Sequence, residues 1–271
     1  MDLLEVTARL TQVAPPPVGK RIGWHLGERA PRRPRVARLK LGGRLVVDAR
    51  DYQQRPILFQ GEYEPEVSRF LSRIATPGWC VLDVGANVGY FSVLAAHLGG
   101  PEARVIGFEP NPDVADMLAR SIQLNPELNI TLEQAGCGEV AGVSRLHLSP
   151  EDRNSGLSTL RDDIYPDAAS VAVDVVRLDE YCAARKLRPD LMKVDVEGWE
   201  PEVLRGGGWI IDERVPSWVL CEVAPARSDP AVLLTWMKDR GYRCFQISRV
   251  GELLPVAAFD KDWETVCFTR V

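Results

Sequence analysis

A predicted strand, a glycine turn and a predicted helix follow one another in residues 80–91, which read Cys-Val-Leu-Asp-Val-Gly-Ala-Asn-Val-Gly-Tyr-Phe. The first five residues form a short, largely apolar run that contains two valines, which is typical of a strand buried on both faces. Gly85 and Gly89 interrupt the run, and the apolar spacing from Tyr90 to Leu98 predicts a helix. Because the first N–H groups of such a helix lack partners within it, this segment predicts a ligand crevice at the carboxyl edge of a parallel sheet.

The composition of the glycine loop narrows the choice of ligand. The dinucleotide fingerprint has the order Gly-x-Gly-x-x-Gly, and placing its last glycine on Gly89 puts Val84 and Ala86 at the other two positions. The loop also lacks the Lys-Ser/Thr pair of a P-loop. It has an acid instead, Asp83, which suits an ammonium group better than a pyrophosphate. The order Asp-Val-Gly-Ala-Asn-Val-Gly resembles the first motif of class I S-adenosylmethionine methyltransferases, with Asn87 at the middle glycine. A tight turn without a ligand is the open alternative.

A second acid stands at the distance expected for a nucleoside ligand. Residues 104–108 form another apolar run, which ends at Glu109-Pro110. An acid at the end of the second strand, about 20 residues after the glycines, is where ribose hydroxyls are held in nucleotide-binding sheets. Glu109 can accept hydrogen bonds from both hydroxyls, and Pro112 suits the first turn of the next helix. The alternative for Glu109 is a solvated acid at a helix start.

A third stretch, residues 191–201, indicates a family. It reads Leu-Met-Lys-Val-Asp-Val-Glu-Gly-Trp-Glu-Pro, and with the glycine loop and Phe108-Glu109-Pro110 it closely resembles the FkbM family of S-adenosylmethionine-dependent methyltransferases. Shorter matches are Gly61–Pro65, Leu124-Asn125, Asn154–Gly156 and Val203–Gly206. The resemblance therefore covers most of the chain, from about residue 55 to about residue 250.

The resemblance implies S-adenosylmethionine as the cofactor. Together with the two acids, it predicts the cofactor-binding residues Asp83, Gly85, Ala86, Asn87, Gly89, Glu109, Pro110 and Cys137. Many methyltransferases place an Asp or Asn near the end of the third strand for the adenine, whereas this chain has Ala-Gly-Cys-Gly at residues 135–138. Backbone groups would then have to supply the hydrogen bonds to the adenine.

Apolar runs and helical periodicities alternate along the rest of the chain. Strands are predicted near residues 80–84, 104–108, 129–135, 190–195 and 217–223, with helices near 88–98, 112–124, 199–205 and 229–240. This alternation indicates a parallel sheet with helices on both faces. Two further runs, 243–247 and 264–269, resemble the antiparallel strands that close a methyltransferase sheet. The predicted fold is α/β, a Rossmann-like class I methyltransferase fold with a mostly parallel seven-stranded sheet.

Residues 61–271 are predicted to form the methyltransferase domain, preceded by an appendage of residues 1–60. Residues 1–13 have the spacing of a short amphipathic helix, which needs another surface to cover. That surface is either the cofactor cleft or a neighbouring subunit, so a homodimer through this segment is possible. The Arg-rich residues 29–44 are interpreted as a solvated linker rather than a phosphate-binding segment, and residues 38–48 as a hairpin.

Lys193, Asp195 and Glu197 alternate along a strand end, so they share one face and are the predicted catalytic residues. Methyl transfer to an alcohol requires that the acceptor be positioned and its proton removed. Asp195 is the first candidate for the acceptor side, and Lys193 can hold it in place or lower its pKa. Glu197 can accept from the acceptor hydroxyl. The alternative is an internal ion pair that only fixes the loop.

Tyr63, Asn154 and Glu222 are the predicted acceptor contacts. Tyr63 belongs to the family stretch at residues 61–65, Asn154 to a polar loop, and Glu222 ends the fifth core strand. Asp195, Glu197 and Glu222 together have the oxygen ligands that Mg²⁺ prefers. Because they have no histidine partner or recognisable ligand spacing, no metal is predicted.

Composition limits the partners and the compartment. The formal net charge of −5 argues against sequence-independent nucleic-acid binding. No apolar run approaches the length of a membrane span, and no signal peptide precedes the first acids, so we expect no membrane partner. The six cysteines are scattered without a Cys-x-x-Cys pair, which is typical of reduced thiols in a cytoplasmic protein.

The predicted function is that of an O-methyltransferase of the FkbM type, which methylates a hydroxyl of a small molecule such as a natural product or a sugar. The family resemblance supplies the hydroxyl and the acceptor class, whereas the residues themselves support only the cofactor. Open alternatives are methylation of a carboxylate or a nitrogen, and a catalytically silent subunit that keeps the cofactor pocket. A nicotinamide dehydrogenase is a more remote alternative.

Overall fold

The computed structural model describes residues 3–13, 16–31, 33–151, 153–213, 215–227, 229–256 and 264–270. Its helices are α1 (Leu3–Val13), α2 (Pro16–Arg29), α3 (Gln54–Gln60), α4 (Pro65–Ile74), α5 (Tyr90–Gly99), α6 (Pro112–Gln123), α7 (Leu178–Arg185), α8 (Glu200–Gly206), α9 (Gly208–Asp212) and α10 (Pro230–Asp239). Its strands are β1 (Pro34–Arg38), β2 (Arg44–Asp48), β3 (Cys80–Val84), β4 (Arg104–Phe108), β5 (Ile130–Glu133), β6 (Gly136–Cys137), β7 (Gly142–His147), β8 (Ser170–Val176), β9 (Leu191–Val194), β10 (Trp218–Val223), β11 (Arg243–Ile247), β12 (Leu253–Pro255) and β13 (Glu264–Thr269).

The main sheet has eight strands in the order β12-β11-β13-β10-β9-β3-β4-β5. The strands from β10 to β5 are parallel, and β13, β11 and β12 add to the other side in antiparallel fashion. The predicted Rossmann-like α/β fold is therefore confirmed, with all seven predicted strands present. The predicted strand number was one too low, because β12 has three residues and so carries no readable periodicity.

The centre of the sheet is buried on both faces. Val81 of β3 is in register with Leu191 of β9, and these two belong to the apolar cluster of one face. Leu82 and Met192, the next pair in register, belong to the apolar cluster of the other face. The chain passes from β3 to β4 on one side and later returns to β9 on the other side. In open α/β sheets, this reversal of direction opens a crevice at the carboxyl ends of the strands.

A smaller sheet of three strands, in the order β6-β8-β7, stands beside the main one. Strands β7 and β8 pair antiparallel, whereas β6 pairs parallel with β8. Leu146, Leu160, Val173 and Val175 form the apolar cluster of this sheet. The sheet presents one side of that cluster to the crevice.

The N-terminal segment is more ordered than the sequence predicted. The solvated linker was a wrong prediction, because residues 34–38 form β1, which pairs with β2 and alternates buried and exposed side chains. Helix α1 ends at Val13, before the proline triplet at residues 15–17, and α2 begins at Pro16, since proline is compatible with the first turn of a helix.

This segment packs against the rest of the chain. Leu45 of β2 and Phe59 of α3 belong to the same apolar cluster as Val81 and Leu94 of the main sheet and its helix. Helix α1 covers α3, where Thr11 Oγ1 donates to the Phe59 carbonyl oxygen at 2.8 Å. The surface that α1 covers is therefore within its own chain, and both the domain boundary at residue 60 and a homodimer stay predictions.

The six cysteines are free thiols. In the part of the chain that the structure describes, no helix has the length and apolar character needed to cross a bilayer.

Candidate active site

The glycine loop after β3 forms the floor of a cleft at the carboxyl end of the sheet. Gly85 has φ 81°, and a side chain there would overlap the carbonyl oxygen of Asp195. Gly89 has φ 92°, and a side chain there would overlap Leu118. Glycine is required at both positions, because only glycine adopts this backbone conformation readily and leaves the space free. The loop therefore brings its backbone against the strand end that carries Asp195.

The middle position of the loop is occupied by Asn87, which has φ 50°. Asparagine tolerates this left-handed conformation better than most residues, and its Oδ1 accepts from the N–H of Val88 at 2.7 Å. The Asn87 side-chain amide donates to Gln53 Oε1 at 3.1 Å. Asn87 thus replaces the middle glycine of the motif without strain and adds a link to the N-terminal segment.

Glu109 lines the cleft at the end of β4 and is 8% exposed. The N–H of Asn87 donates to its Oε2, and the N–H of Asn111 donates to its Oε1, both at 2.9 Å. A carboxylate oxygen has two lone pairs, so each oxygen keeps capacity for a further donor. Burial raises the pKa of Glu109 to about 7, against the opposing effect of the two backbone N–H groups. Pro110 also lines the cleft beside it.

Asp83 lies below the floor of this cleft and is 1% exposed. It is in register with Lys193 of β9, and its Oδ2 accepts from Ser92 Oγ at 2.6 Å. Its Oδ1 has no hydrogen-bond partner among the described residues. Burial raises the pKa of Asp83, and the charge of Lys193 opposes this effect. Asp83 is not among the residues that line the cleft, and its cofactor-binding role stays a prediction.

Lys193 and Asp195 line the cleft on the other side of the glycine loop from Glu109. Lys193 Nζ donates to Asp195 Oδ2 at 2.8 Å and lies 4.6 Å from the centroid of the Phe91 ring. Burial alone would lower the pKa of Lys193, but the carboxylates of Asp195, Asp83 and Glu64 outweigh burial and raise it. Lys193 therefore keeps its positive charge and holds Asp195, whose side chain is 22% exposed, at the cleft surface.

Three carboxyl groups meet at this end of the cleft. Asp195, Glu197 and Glu222 each place an oxygen within 4.8 Å of the other two. Glu197 forms an ion pair with Arg227, and Asp195 forms the one with Lys193. The three oxygens have the spacing of ligands for a divalent cation, but the two basic side chains already compensate two of the charges. The prediction of no metal stays a prediction.

Glu222 is the carboxyl of this group without a basic partner in the described structure. Its Oε2 is buried and forms no hydrogen bond with any described residue. Burial, and next the charges of Asp195 and Glu200, raise the pKa of Glu222 well above its ordinary value. This shift favours the protonated form of Glu222, which can donate a hydrogen bond as well as accept one.

Two further acids fix this region, and sequence reasoning gave neither a role in the site. Glu200 Oε1 accepts from the N–H groups of Val196 and Gly198, both at 3.1 Å, which holds the loop after β9. Glu64 Oε2 accepts from Thr265 Oγ1 at 3.2 Å. Burial raises the pKa of both Glu200 and Glu64 to about 7. Glu200 thus positions the loop that carries Glu197.

The other predicted site residues divide into two groups. Tyr63 lines the cleft at the end near Asp195, and burial raises the pKa of its phenol well above the ordinary value. Asn154 and Glu222 lie close to the cleft without lining it, whereas Ser155 and Gly156, next to Asn154, do line it. Cys137 is 1% exposed and packs in the apolar cluster of the second sheet face. Cys137 does not line the cleft, and its cofactor-binding role stays a prediction.

Sequence reasoning missed the residues that close the sides of the cleft. Gln53, Gln54 and Ile57 come from the start of α3, and Leu146, Ser158, Thr159 and Leu160 come from the small sheet and its loop. Thr159 Oγ1 donates to the carbonyl oxygen of Glu197 at 3.0 Å, which joins that loop to the segment after β9. These residues form no motif, and only the packing of distant segments brings them together.

Comparison with known proteins supports a family assignment. The sequence model of the methyltransferase FkbM domain matches residues 83–244. The chain is similar to methyltransferase sdnD of Sordaria araneosa, with 34% identity over 155 residues, which cover 46% of this chain and 59% of that protein. It is also similar to 31-O-demethyl-FK506 methyltransferase FkbM of Streptomyces tacrolimicus, with 30% identity over 48% of this chain and 60% of that protein. A third similar protein is hexuronic acid methyltransferase AglP of Haloferax volcanii, with 30% identity over 53% of this chain and 56% of that protein.

The chain spans less than two thirds of the length of each of these three relatives. The family match runs from β3 to β11 and includes the glycine loop, Glu109 and the Lys193–Glu197 strand end. Residues 83–244 are 162 of the 271 residues, which is more than half of the chain. The chain therefore belongs to the FkbM methyltransferase family.

Proposed function

We propose that this protein is an O-methyltransferase that methylates a hydroxyl group of a small molecule, such as a natural product or a sugar, with Asp195 as the base. The observation that carries the proposal is the Lys193–Asp195 pair at one end of the cleft, across the glycine loop from Glu109. Neighbouring strands lie about 4.8 Å apart, so the ends of β9 and β4 are about 10 Å apart across β3. A ligand that extends from Glu109 to Asp195 therefore crosses the glycine loop.

S-adenosylmethionine is the methyl donor. The glycine loop and Glu109 line the same cleft. Both Glu109 oxygens keep a lone pair for a ribose hydroxyl. Leu146 and Leu160 offer an apolar wall for a base. Bound there, S-adenosylmethionine supplies an activated methyl group on a sulfonium.

The residues of this chain then position the acceptor and remove its proton. Lys193 occupies Asp195 Oδ2, which leaves Oδ1 for the acceptor hydroxyl. Lys193 holds Asp195 in place through this ion pair, and the Asp195 carboxylate can accept the hydroxyl proton as the new oxygen–carbon bond forms. Tyr63 and Glu197 line the same end of the cleft and can contact the rest of the acceptor.

The electrostatics of this end favour a neutral hydroxyl over a carboxylate acceptor. Asp195 and Glu197 line it, and Glu64 and Glu222 lie behind them. A carboxylate acceptor would meet like charges, which raises the free energy of its bound form. The name of one relative indicates an oxygen of FK506 as its acceptor, which supports a hydroxyl acceptor. The name of another indicates a hexuronic acid, which carries hydroxyls as well as a carboxylate and so fits either acceptor group.

Nitrogen methylation is the second candidate, and the same acidic cluster favours it. An amine that approaches as a cation is attracted to Asp195 and Glu197, and it also needs a base before it can accept a methyl group. The remaining alternative is a catalytically silent subunit, which would bind the cofactor but transfer no methyl group. The net charge of −5 supports a small-molecule acceptor over a nucleic acid.

The test is single-turnover transfer from methyl-labelled cofactor to a panel of alcohols, carboxylates and amines. We expect label on an oxygen of an alcohol, located in the product by mass spectrometry and NMR, and none with Asp195→Asn in the same assay. Label on nitrogen would make the second candidate correct. Binding of the cofactor without consumption by any acceptor in a broad panel would favour the silent subunit.

A further inference from the structure

Three segments that are distant in sequence meet at the mouth of the cleft: the turn before α3, the glycine loop and the loop at residues 153–160. Asp51 joins the first to the third. Its Oδ1 accepts from the N–H groups of Gln53 and Gln54 at 2.9 and 3.1 Å, within its own turn. Its Oδ2 accepts from the N–H and the hydroxyl of Ser155 at 2.9 and 2.8 Å, across 104 residues of sequence. One oxygen of Asp51 thus accepts from its own turn, and the other oxygen links this turn to the loop at residues 153–160.

Three more hydrogen bonds reinforce this link. Gln54 Oε1 accepts from the N–H of Asp48 at 2.8 Å, and Gln54 Nε2 donates to Ser155 Oγ at 3.3 Å. The N–H of Tyr52 donates to the carbonyl oxygen of Arg153 at 2.8 Å. Asp51 is buried, so water does not compete with these bonds, and burial raises its pKa against the effect of the Ser155 and Gln54 donors.

Gln53 extends the link to the cofactor loop. Its Oε1 accepts from Asn87 Nδ2 at 3.1 Å, and the N–H of the same Asn87 donates to Glu109. On its other side, Gln53 lies so close to Gly156 that a side chain on Gly156 would overlap Gln53 Oε1. Gln53 is therefore held between Gly156 and Asn87, one residue away from the carboxylate that suits a ribose.

We propose that Gln53, Gln54, Ser155 and Gly156, the strap, are cofactor-binding residues that cover the methyl donor beside Glu109 and must open for it to leave. All four line the same cleft as Glu109. Asp51 accepts hydrogen bonds from both halves of the strap, from Gln53 and Gln54 and from Ser155. A ligand that lies beneath the strap is therefore enclosed on the side of the cleft that the strap covers. The N-terminal segment, which sequence reasoning placed outside the cofactor site, thus completes that site.

The strap goes beyond the proposed function, because it concerns the methyl donor and not the acceptor or the base. Its competing explanation is that Asp51 only stabilises the junction between the N-terminal segment and the small sheet. The two explanations differ in a measurable rate. A structural junction changes the melting temperature, whereas a strap over the ligand also sets the rate at which the ligand leaves.

Two variants loosen the strap in different ways. Asp51→Asn keeps Oδ1 for its own turn and places an NH₂ group against the Ser155 donors, so it removes only the link between the segments. Gly156→Ala forces Gln53 away from its position, and the flexible end of Gln53 can move without disturbing the backbone. Matched controls are Asp174→Asn on the exposed face of β8 and Gly208→Ala, where an added carbon meets no atom within 4 Å.

The experiment measures the dissociation rate and affinity of S-adenosylhomocysteine by stopped-flow fluorescence and calorimetry, with a melting curve for each variant. We expect both strap variants to release the ligand at least about tenfold faster than the wild type, on the scale of one lost charge-assisted hydrogen bond. The controls should stay within about twofold. If Asp51→Asn does not fold, Gly156→Ala and Gln53→Ala decide the matter.

The strap is wrong if Gly156→Ala and folded Asp51→Asn both release the ligand at the wild-type rate. If Asp51→Asn does not fold, wild-type release rates in both Gly156→Ala and Gln53→Ala would overturn the strap. A wild-type protein that binds no S-adenosylhomocysteine would overturn it together with the donor assignment. A wild-type protein that binds this ligand but methylates no hydroxyl would leave the strap intact and refute only the proposed function.

Discussion

Lys193 Nζ donates to Asp195 Oδ2 at 2.8 Å, and Lys193 is also in register with Asp83 on the neighbouring strand. One buried cation therefore compensates two acids, one at the cleft surface and one beneath it. Apolar residues would normally fill such a strand between two helical layers. The pair thus has a role either in catalysis or in the stability of this strand end, and substitutions at the two acids can separate these roles.

Asp195→Asn keeps the shape of the side chain and removes its charge. If Asp195 is the base, the rate of methyl transfer should fall by roughly 10²-fold or more, the scale of general-base loss. Affinity for the cofactor should hardly change, because Glu109, the proposed partner of the ribose, lies across the glycine loop from Asp195. The measurement is single-turnover transfer, with a cofactor titration and a melting curve. A variant that melts early but transfers methyl at the normal rate would make Asp195 structural, and Asp174→Asn controls for loss of a surface charge.

Glu109→Gln should weaken binding of S-adenosylhomocysteine. An NH₂ group would replace one acceptor oxygen and face the backbone donor of Asn87 or Asn111. The loss should be on the order of 1.5–3 kcal/mol, measured by calorimetry. Unchanged affinity in a variant with a normal melting temperature would remove Glu109 from the cofactor site.

Asp83→Asn should act mainly on stability. It keeps the contact with Ser92 but leaves Lys193 with one acid fewer in a buried position, where unbalanced charge is costly. We expect a lower melting temperature and a smaller change in cofactor affinity than in Glu109→Gln. The reverse order of affinities would mean that Asp83 contacts the cofactor directly, as the glycine motif predicts.

The cofactor-free protein should lose stability as the pH rises from about 4.5 to about 7. Burial raises the pKa of Glu64, Glu109 and Glu200 from 4.5 to about 7 in the folded state. In this window, the folded state therefore binds more protons than the unfolded state, and the free energy of unfolding falls with rising pH. Melting curves at pH 5, 6 and 7 measure the slope, which Glu200→Gln should make shallower. A melting temperature that rises across this range would contradict these pKa directions.

Methyl transfer should not depend on a divalent cation. Lys193 and Arg227 already compensate the charges of Asp195 and Glu197, and the raised pKa of Glu222 disfavours the carboxylate form that would bind a cation. Treatment with EDTA should leave the rate unchanged, and Glu222→Gln, which imitates the protonated carboxyl, should remain folded with a similar melting temperature. Loss of activity in EDTA that Mg²⁺ restores would show instead that the three carboxyls hold a metal.

The elements with strong local patterns were predictable from the sequence. The strands β3, β4, β9 and β10 are apolar runs between helical periodicities, and the glycine loop follows from the positions of Gly85 and Gly89. Residues 34–38 were predicted as part of a solvated linker because of the arginines around them. They form strand β1 instead, in which buried and exposed side chains alternate. The three residues of β12 are too few for any pattern.

The sequence by itself determined the sheet, the turn at its carboxyl edge and the two acids, Glu109 and Asp195, at the ends of two further strands. Such features depend on each residue and its near neighbours in the chain. Only the tertiary structure decided that Asp83 lies beneath the cleft and that Asp51 and Ser155 meet at its mouth. Strand register and the packing of distant segments depend on many weak contacts at once, and none of these contacts leaves a local pattern in the sequence.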